Sequence, residues 1–197
     1  MILRCENKIT NLCHILSTQV TKKSSYKCTS MDQRLENLFL TALEENQQRL
    51  LRVCSVYASD HDDKKDLFQE ALINIWQSMP SFEGRASINT WMFRITLNVC
   101  LRVQTKQARK KDQFRRLDIT IENMPAESVN HDELDRVLKL RACIQRLNDA
   151  DKAVTTLFLE DLSYKEISDI TGLTENNVAV KIKRIKTKLL TCITEKI

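Results

Sequence analysis

The run Leu162-Ser163-Tyr164-Lys165-Glu166-Ile167-Ser168-Asp169-Ile170-Thr171-Gly172-Leu173-Thr174-Glu175-Asn176-Asn177-Val178 spells two short helices hinged at a glycine, with a basic helix following directly. Ser163 and Glu166 form a capping box, in which each side chain satisfies a backbone N–H that the start of a helix leaves free. Gly172 supplies the positive-φ residue that ends the first helix, and Thr174 caps the second. At about 100° per residue, Val178, Ile182, Ile185 and Leu189 share one side of that second helix. Nearly opposite lie Asn176, Asn177, Val180, Lys183, Arg184 and Thr187, flanked by Lys181, Lys186 and Lys188; from Glu175 to Lys188 five bases face one acid. An apolar back with an amide-and-cation front suits a DNA groove, where amides and guanidinium groups meet base edges and lysines meet phosphates. The competing reading is a solvated basic face on an ordinary bundle helix. The capped partner helix and the glycine turn favour a helix-turn-helix.

Composition extends this local reading to the whole chain. Only two glycines and two prolines occur in 197 residues, too few turn-formers for a sandwich, a barrel or a doubly wound sheet, so an all-α protein is expected. The net charge of +5 is unevenly spread. From Arg102 to Arg116 seven bases oppose Asp112 alone, whereas Asp118 to Asp135 holds six acids and no Lys or Arg. These blocks read as a polyanion-binding segment followed by a solvated linker. The seven cysteines form no Cys-x-x-Cys or other metal-ligand spacing, which argues against a disulfide scaffold and against a zinc site at Cys5, Cys13, His14 and Cys28. Cys54, Cys100 and Cys143 fall among apolar helix positions, where reduced thiols act as small hydrophobes. With no apolar stretch of transmembrane length and no signal-peptide pattern, a cytoplasmic protein without membrane insertion is expected.

Helical periodicity sets the organisation. Residues 1–30 show no sustained period and read as a mobile tail. Leu35, Leu38, Phe39, Ala42, Leu43, Leu50, Leu51, Cys54 and Tyr57 trace one long helix, and His61, Asp62 and Asp63 read as a polar break. Leu67, Phe68, Ala71, Leu72, Ile75, Trp76 and Met79 define a second helix stopped by Pro80. After a loop around Gly84, Ile88, Trp91, Met92, Ile95, Val99 and Val103 define a third. The expected division is a helical domain over 31–116, an acidic linker over 117–133 and a four-helix domain over 134–197 that ends in the helix-turn-helix.

The segment from Pro80 to Asn98 joins an aromatic-bearing loop to a helix on which Arg94, Asn98, Arg102, Thr105 and Arg109 form a stripe beside Trp91. Aromatic faces for stacking, cations for phosphates and an amide for an unpaired base edge are what a single nucleic-acid strand needs. Phe82, Trp91 and Phe93 also read as core or loop-anchoring aromatics, and for Trp91, on the apolar face, the core role is the expectation.

These stretches resemble a known family. Asp66-Leu67-Phe68-Gln69-Glu70-Ala71, Phe82-Glu83-Gly84, Thr90-Trp91-Met92-Phe93-Arg94-Ile95-Thr96-Leu97-Asn98 and Leu162-Ser163-Tyr164-Lys165-Glu166-Ile167 look like those of extracytoplasmic-function sigma factors of bacterial RNA polymerase, in the same order over about residues 35–197. The resemblance implies that Asp66, Gln69, Glu70, Asn74 and Gln77 dock on the β′ clamp helices of core polymerase, with the β flap as a further contact. It implies that Phe82, Gly84, Arg85, Ser87, Asn89, Arg94, Asn98, Arg102 and Arg109 recognise and hold the melted strand of the minus-ten element. Thr174, Asn176, Asn177, Val180, Lys181, Lys183, Arg184 and Lys186 would read the duplex minus-thirty-five element. Promoter DNA, duplex and single-stranded, and core polymerase are thus the implied partners, and an anti-sigma factor is a further one. Ile185 departs from the family, which often has a small residue there, and residues 1–30 match nothing in it.

No Walker glycine loop, His/Asp/Glu metal constellation or nucleophile–base pair is legible, and His14, His61 and His131 fall in the tail or in linkers. A non-enzymatic specificity subunit without cofactor or metal is therefore expected. A free-standing helix-turn-helix regulator would explain the C-terminal reader equally well but not the aromatic loop with its basic stripe. A helical adaptor binding only proteins is the third reading.

Overall fold

The computed structural model describes residues 32–113 and 131–194, and the side chains of 32–106 and 136–194. The described residues are helical: α1 (Gln33–Tyr57), α2 (His61–Ser78), a 3-10 turn (Met79–Ser81), α3 (Ile88–Gln113), α4 (His131–Gln145), α5 (Asp149–Leu159), α6 (Tyr164–Thr171) and α7 (Glu175–Thr194). The chain divides into two compact units, Met1–Asn37 and Leu38–Ile197. Of the first, only the opening of α1 is described; the second holds the remainder of α1 and all the other helices, in two groups, α1 to α3 and α4 to α7. The expected tail over 1–30 and most of the acidic linker lie outside the described residues.

In the first helical group, α1 buries Phe39, Ala42, Leu43, Leu50, Cys54 and Tyr57 of the expected stripe together with Val53, whereas Leu35, Leu38 and Leu51 are half-buried. The polar triplet His61–Asp63 is not a break but the first turn of α2. Asp60 caps the helix by accepting the Asp63 N–H (2.8 Å), Asp63 accepts the N–H of Ser59 just ahead of the cap (2.8 Å), and both acids favour the positive N-terminus. His61 therefore lies on a helix and not in a linker. Leu67, Ala71, Leu72 and Ile75 form the buried side of α2, which ends where Pro80 forces the 3-10 turn. Phe39 meets Trp76 edge-on at 5.1 Å between ring centres. Ser87 starts α3 by accepting the Thr90 N–H on its hydroxyl (3.0 Å), and Met92, Phe93, Leu97, Val99 and Cys100 fill the core. Cys54 and Cys100 are buried free thiols; a hydrogen bond with Cys54, together with burial, pushes the Cys100 thiol up.

The second group departs from expectation at one cysteine. Cys143 is buried, as its apolar position implies, but it is bonded to Cys192 with the two Cα atoms 6.0 Å apart. The bridge ties α4 to the end of α7 over 49 residues of chain. Nothing local marks that pairing, because only the packing of α4 on α7 brings the two thiols together.

The two groups touch. α3 lies against α6, and the Thr90 hydroxyl on α3 donates to the Glu166 carboxylate on α6 (3.4 Å). The main polar contact is Glu160, only 5% exposed, which accepts two hydrogen bonds from the Arg52 guanidinium at 2.8 and 2.7 Å. Arg49 donates to the Glu160 carbonyl and stacks over Phe93, 5.0 Å from the ring centre. Arg141 and Gln145 of α4 donate to the carbonyls of Ser55 and Val56, which the end of α1 leaves free.

Candidate nucleic-acid interface

The helix-turn-helix is built as its sequence dictates. The Ser163 hydroxyl accepts the Glu166 N–H (3.2 Å) and the Glu166 carboxylate accepts the Ser163 N–H (2.9 Å). That backbone N–H holds the Glu166 carboxyl below its ordinary value. Gly172 sits at φ +74° and closes α6, a conformation in which a side chain would be strained. Thr174 accepts the Asn177 N–H at 3.3 Å and starts α7.

On α7, Val178, Ile182 and Ile185 are buried. Asn176, Asn177, Val180, Lys183, Arg184, Lys186 and Thr187 are exposed, as is Thr174 in the turn. Of the expected reader residues, Lys181 turns aside: its ammonium donates to the Asp151 carboxylate of α5 at 2.8 Å. Lys188 donates to the other oxygen of the same carboxylate at 2.9 Å. On the opposite flank of α7 the Lys186 ammonium lies 4.7 Å from the centre of the Phe158 ring. Burial alone would raise the Asp151 carboxyl, but the two lysine hydrogen bonds outweigh it and hold the group below its ordinary value. No local signal marked Asp151, which reads as a common first-turn acid.

In the first helical group Gly84 takes φ +70° in the loop, beside an exposed ion pair of Arg85 with Glu83 (2.6 Å). Phe82 and Trp91 are both half-buried and meet at 5.2 Å between ring centres. Trp91 is therefore a loop anchor at the edge of the core rather than a residue of its interior. Arg94 and Asn98 point to solvent one turn apart on α3. Ser87 is engaged in capping, and the half-buried Asn89 accepts a hydrogen bond from the buried Asn46 amide (2.9 Å). The side chain of Arg109 lies outside the described residues.

On α2, Asp66 and Gln77 are exposed, whereas Gln69, Glu70 and Asn74 are half-buried. Arg102 joins the expected polymerase-docking and strand-holding surfaces: it pairs with Glu70 at 2.9 Å and reaches the Asn74 amide oxygen at 3.5 Å. Among the described residues no three His, Cys, Asp or Glu gather as a metal site, and no helix is long and apolar enough to cross a membrane.

Residues 42–110 match the family model of Sigma-70 region 2, and residues 138–189 match that of Sigma-70, region 4. The chain is 25% identical over 153 residues to RNA polymerase sigma factor SigV of Bacillus subtilis, covering 77% of this chain and 89% of that protein. It is 28% identical over 167 residues to the ECF RNA polymerase sigma-E factor of Haemophilus influenzae, covering 79% and 85%. In fold it is similar to the sigma factor RpoE of Bartonella quintana, solved in complex with the anti-sigma factor NepR. That likeness has a TM-score of 0.66 at 19% identity and covers 84% of this chain and all of that one. CnrH, solved with the cytosolic domain of CnrY, gives a TM-score of 0.58 at 18% identity, covering 78% of this chain and 85% of that one.

Proposed function

The chain belongs to the sigma-70 family, in its extracytoplasmic-function branch, whose members act in transcription initiation, and from that premise we propose that it is a dissociable specificity subunit that recruits core RNA polymerase to its own promoters and assists strand opening. Residues 134–197 read the minus-thirty-five duplex through Thr174, Asn176, Asn177, Val180, Lys183, Arg184 and Lys186. Residues 31–116 dock on core polymerase through Asp66, Gln69, Glu70, Asn74 and Gln77. They also hold the melted minus-ten strand with Phe82, Gly84, Arg85, Arg94, Asn98, Arg102 and Arg109, with Ser87 and Asn89 shaping the loop. Residues 117–133 link the two. The energy for melting comes from binding, since stacking contributes about 1–3 kcal/mol per base and offsets the few kcal/mol needed to unstack one. An anti-sigma factor is part of the proposal, on the strength of a similar structure solved with such a partner.

The observation that carries this reading is the exposed amide-and-cation face of α7 in a chain that also matches the region 2 model over α1 to α3. A free-standing regulator needs only the first of these. In vitro transcription with purified core polymerase and genomic fragments tests the proposal: new start sites should appear only when this chain is added. A chain that fails to bind core polymerase overturns it.

A further inference from the structure

Asp151 lies in the first turn of α5, where its N–H is already capped by the Asn148 side chain at 2.8 Å. Each oxygen of its carboxylate takes one lysine of α7, Lys181 at 2.8 Å and Lys188 at 2.9 Å, and the oxygen that bonds Lys188 also accepts the Asn148 side-chain amide at 3.2 Å. The Asp151 side chain is 8% exposed, against 31% and 57% for the two lysines. A desolvated carboxylate held by two cations stays charged and keeps its geometry.

The two lysines are seven residues apart, so they stand on nearly the same side of α7, separated by about 10 Å along its axis. One carboxylate that bonds both fixes the axial position of the helix as well as its rotation. On the other flank Phe158, also from α5, receives Lys186. α5 thus grips α7 on both sides of its apolar stripe and leaves Asn176, Asn177, Lys183 and Arg184 facing out. The grip matters because hydrogen-bonded base reading tolerates little error. On a helix of about 5–6 Å outer radius a rotation of about 30° moves side-chain tips by about 3 Å, several times the width of the hydrogen-bond distance window.

We propose that Asp151 is a positioning residue for promoter recognition: by binding Lys181 and Lys188 it sets the rotation of the reading helix and withholds both lysines from DNA phosphates. The inference rests on the reading of α7 as the upstream-element reader. Two of the basic residues nearest that face then serve as struts, and specificity falls to the amides, Lys183 and Arg184.

The test uses holoenzyme assembled from core polymerase and the full chain, titrated over a range of salt on a promoter with an intact upstream element and on one with that element scrambled. Asp151→Asn keeps the size and the capping acceptor and removes the charge. It should lower the preference for the intact element about ten-fold or more while making the salt dependence steeper by up to about 1.8 in log–log slope, as two freed lysines reach phosphates. Mere loosening of the fold would lose contacts and flatten the slope instead. The double variant Lys181→Met with Lys188→Met should lower the preference and leave the slope unchanged. The proposal is overturned if Asp151→Asn changes neither quantity, or if the lysine variant flattens the slope by about 1.8 with the preference intact. If the unaltered holoenzyme binds both promoters equally, the reading of α7 itself fails, and this outcome is visible before any variant is made.

Discussion

The Arg52 guanidinium clasps the Glu160 carboxylate through two hydrogen bonds of 2.8 and 2.7 Å, joining the long first helix to the turn that precedes the helix-turn-helix, 108 residues later. Glu160 is buried while Arg52 is 60% exposed, so the two ends respond differently to removal. The hydrogen bond to Glu160 raises the Arg52 guanidinium above its ordinary value.

Glu160→Ala removes the buried carboxylate that accepts both Arg52 hydrogen bonds, although Arg49 keeps the residue 160 carbonyl, and should cost about 1–3 kcal/mol in urea unfolding. Arg52→Ala, at the solvent-screened end, leaves Arg49 in contact with Glu160, and a cost nearer about 1 kcal/mol is expected. Equal losses in both variants would contradict this asymmetry.

The Cys143–Cys192 bridge closes a loop of 49 residues that contains α5, α6 and most of α7. In the chain-entropy account such a loop contributes about 4 kcal/mol. Dithiothreitol should therefore lower the urea midpoint of the unaltered chain and have no such effect on Cys192→Ser.

The helix-turn-helix depends on its two end signals. Ser163→Ala removes the cap and should destabilise by about 1 kcal/mol. Gly172→Ala meets open space at its new methyl group, so its cost of about 1 kcal/mol comes from the left-handed backbone alone. A larger loss in thermal unfolding would point to a clash instead.

Arg184→Ala or Lys183→Ala should weaken upstream recognition by about 1–3 kcal/mol if either reads a base edge, measured as promoter affinity of the holoenzyme. Arg94→Ala or Asn98→Ala should reduce permanganate reactivity of the promoter bubble more than binding to core polymerase. Unchanged footprints in both variants would remove this surface from the melting step.

Acidification should weaken the fold through Asp151. Its carboxyl lies below its ordinary 3.8 in the folded chain, so the unfolded chain takes up the proton first. The stabilisation is therefore complete above about pH 5 and is lost as the pH falls through the ordinary value and then the folded one. Thermal unfolding of the unaltered chain and of Asp151→Asn should differ at about pH 6 and draw together as the pH falls below the ordinary 3.8. Glu166 shifts in the same direction and adds to the slope in both proteins.

Local signals made much of this legible. The capping box at Ser163 and Glu166, the left-handed Gly172 and the stripe through Val178, Ile182 and Ile185 all involve residues within about two turns, where sequence spacing and spatial contact coincide. His61–Asp63 misled because polar residues suggest a loop, whereas acids there fit a helix start. Asp161 adopts φ +58° without being glycine or asparagine, so the bend after α5 had no marker. The remaining features pair residues tens of positions apart: Cys143 with Cys192, Arg52 with Glu160, Asp151 with Lys181 and Lys188. Such partners are chosen by the packing of whole helices, which no single window of sequence contains.

The contact of α3 with α6 through Thr90 and Glu166 carries a geometric consequence. Elements named for positions about 25 base pairs apart are separated by about 85 Å along B-form DNA at about 3.4 Å per pair, whereas a unit the size of Leu38–Ile197 has a radius of gyration of about 15 Å. The folded arrangement is a shut pair of calipers, too narrow to straddle both marks on the template. On the proposed function, engagement of the transcription machinery must spread the two arms, and the Arg52–Glu160 clasp between them has to open.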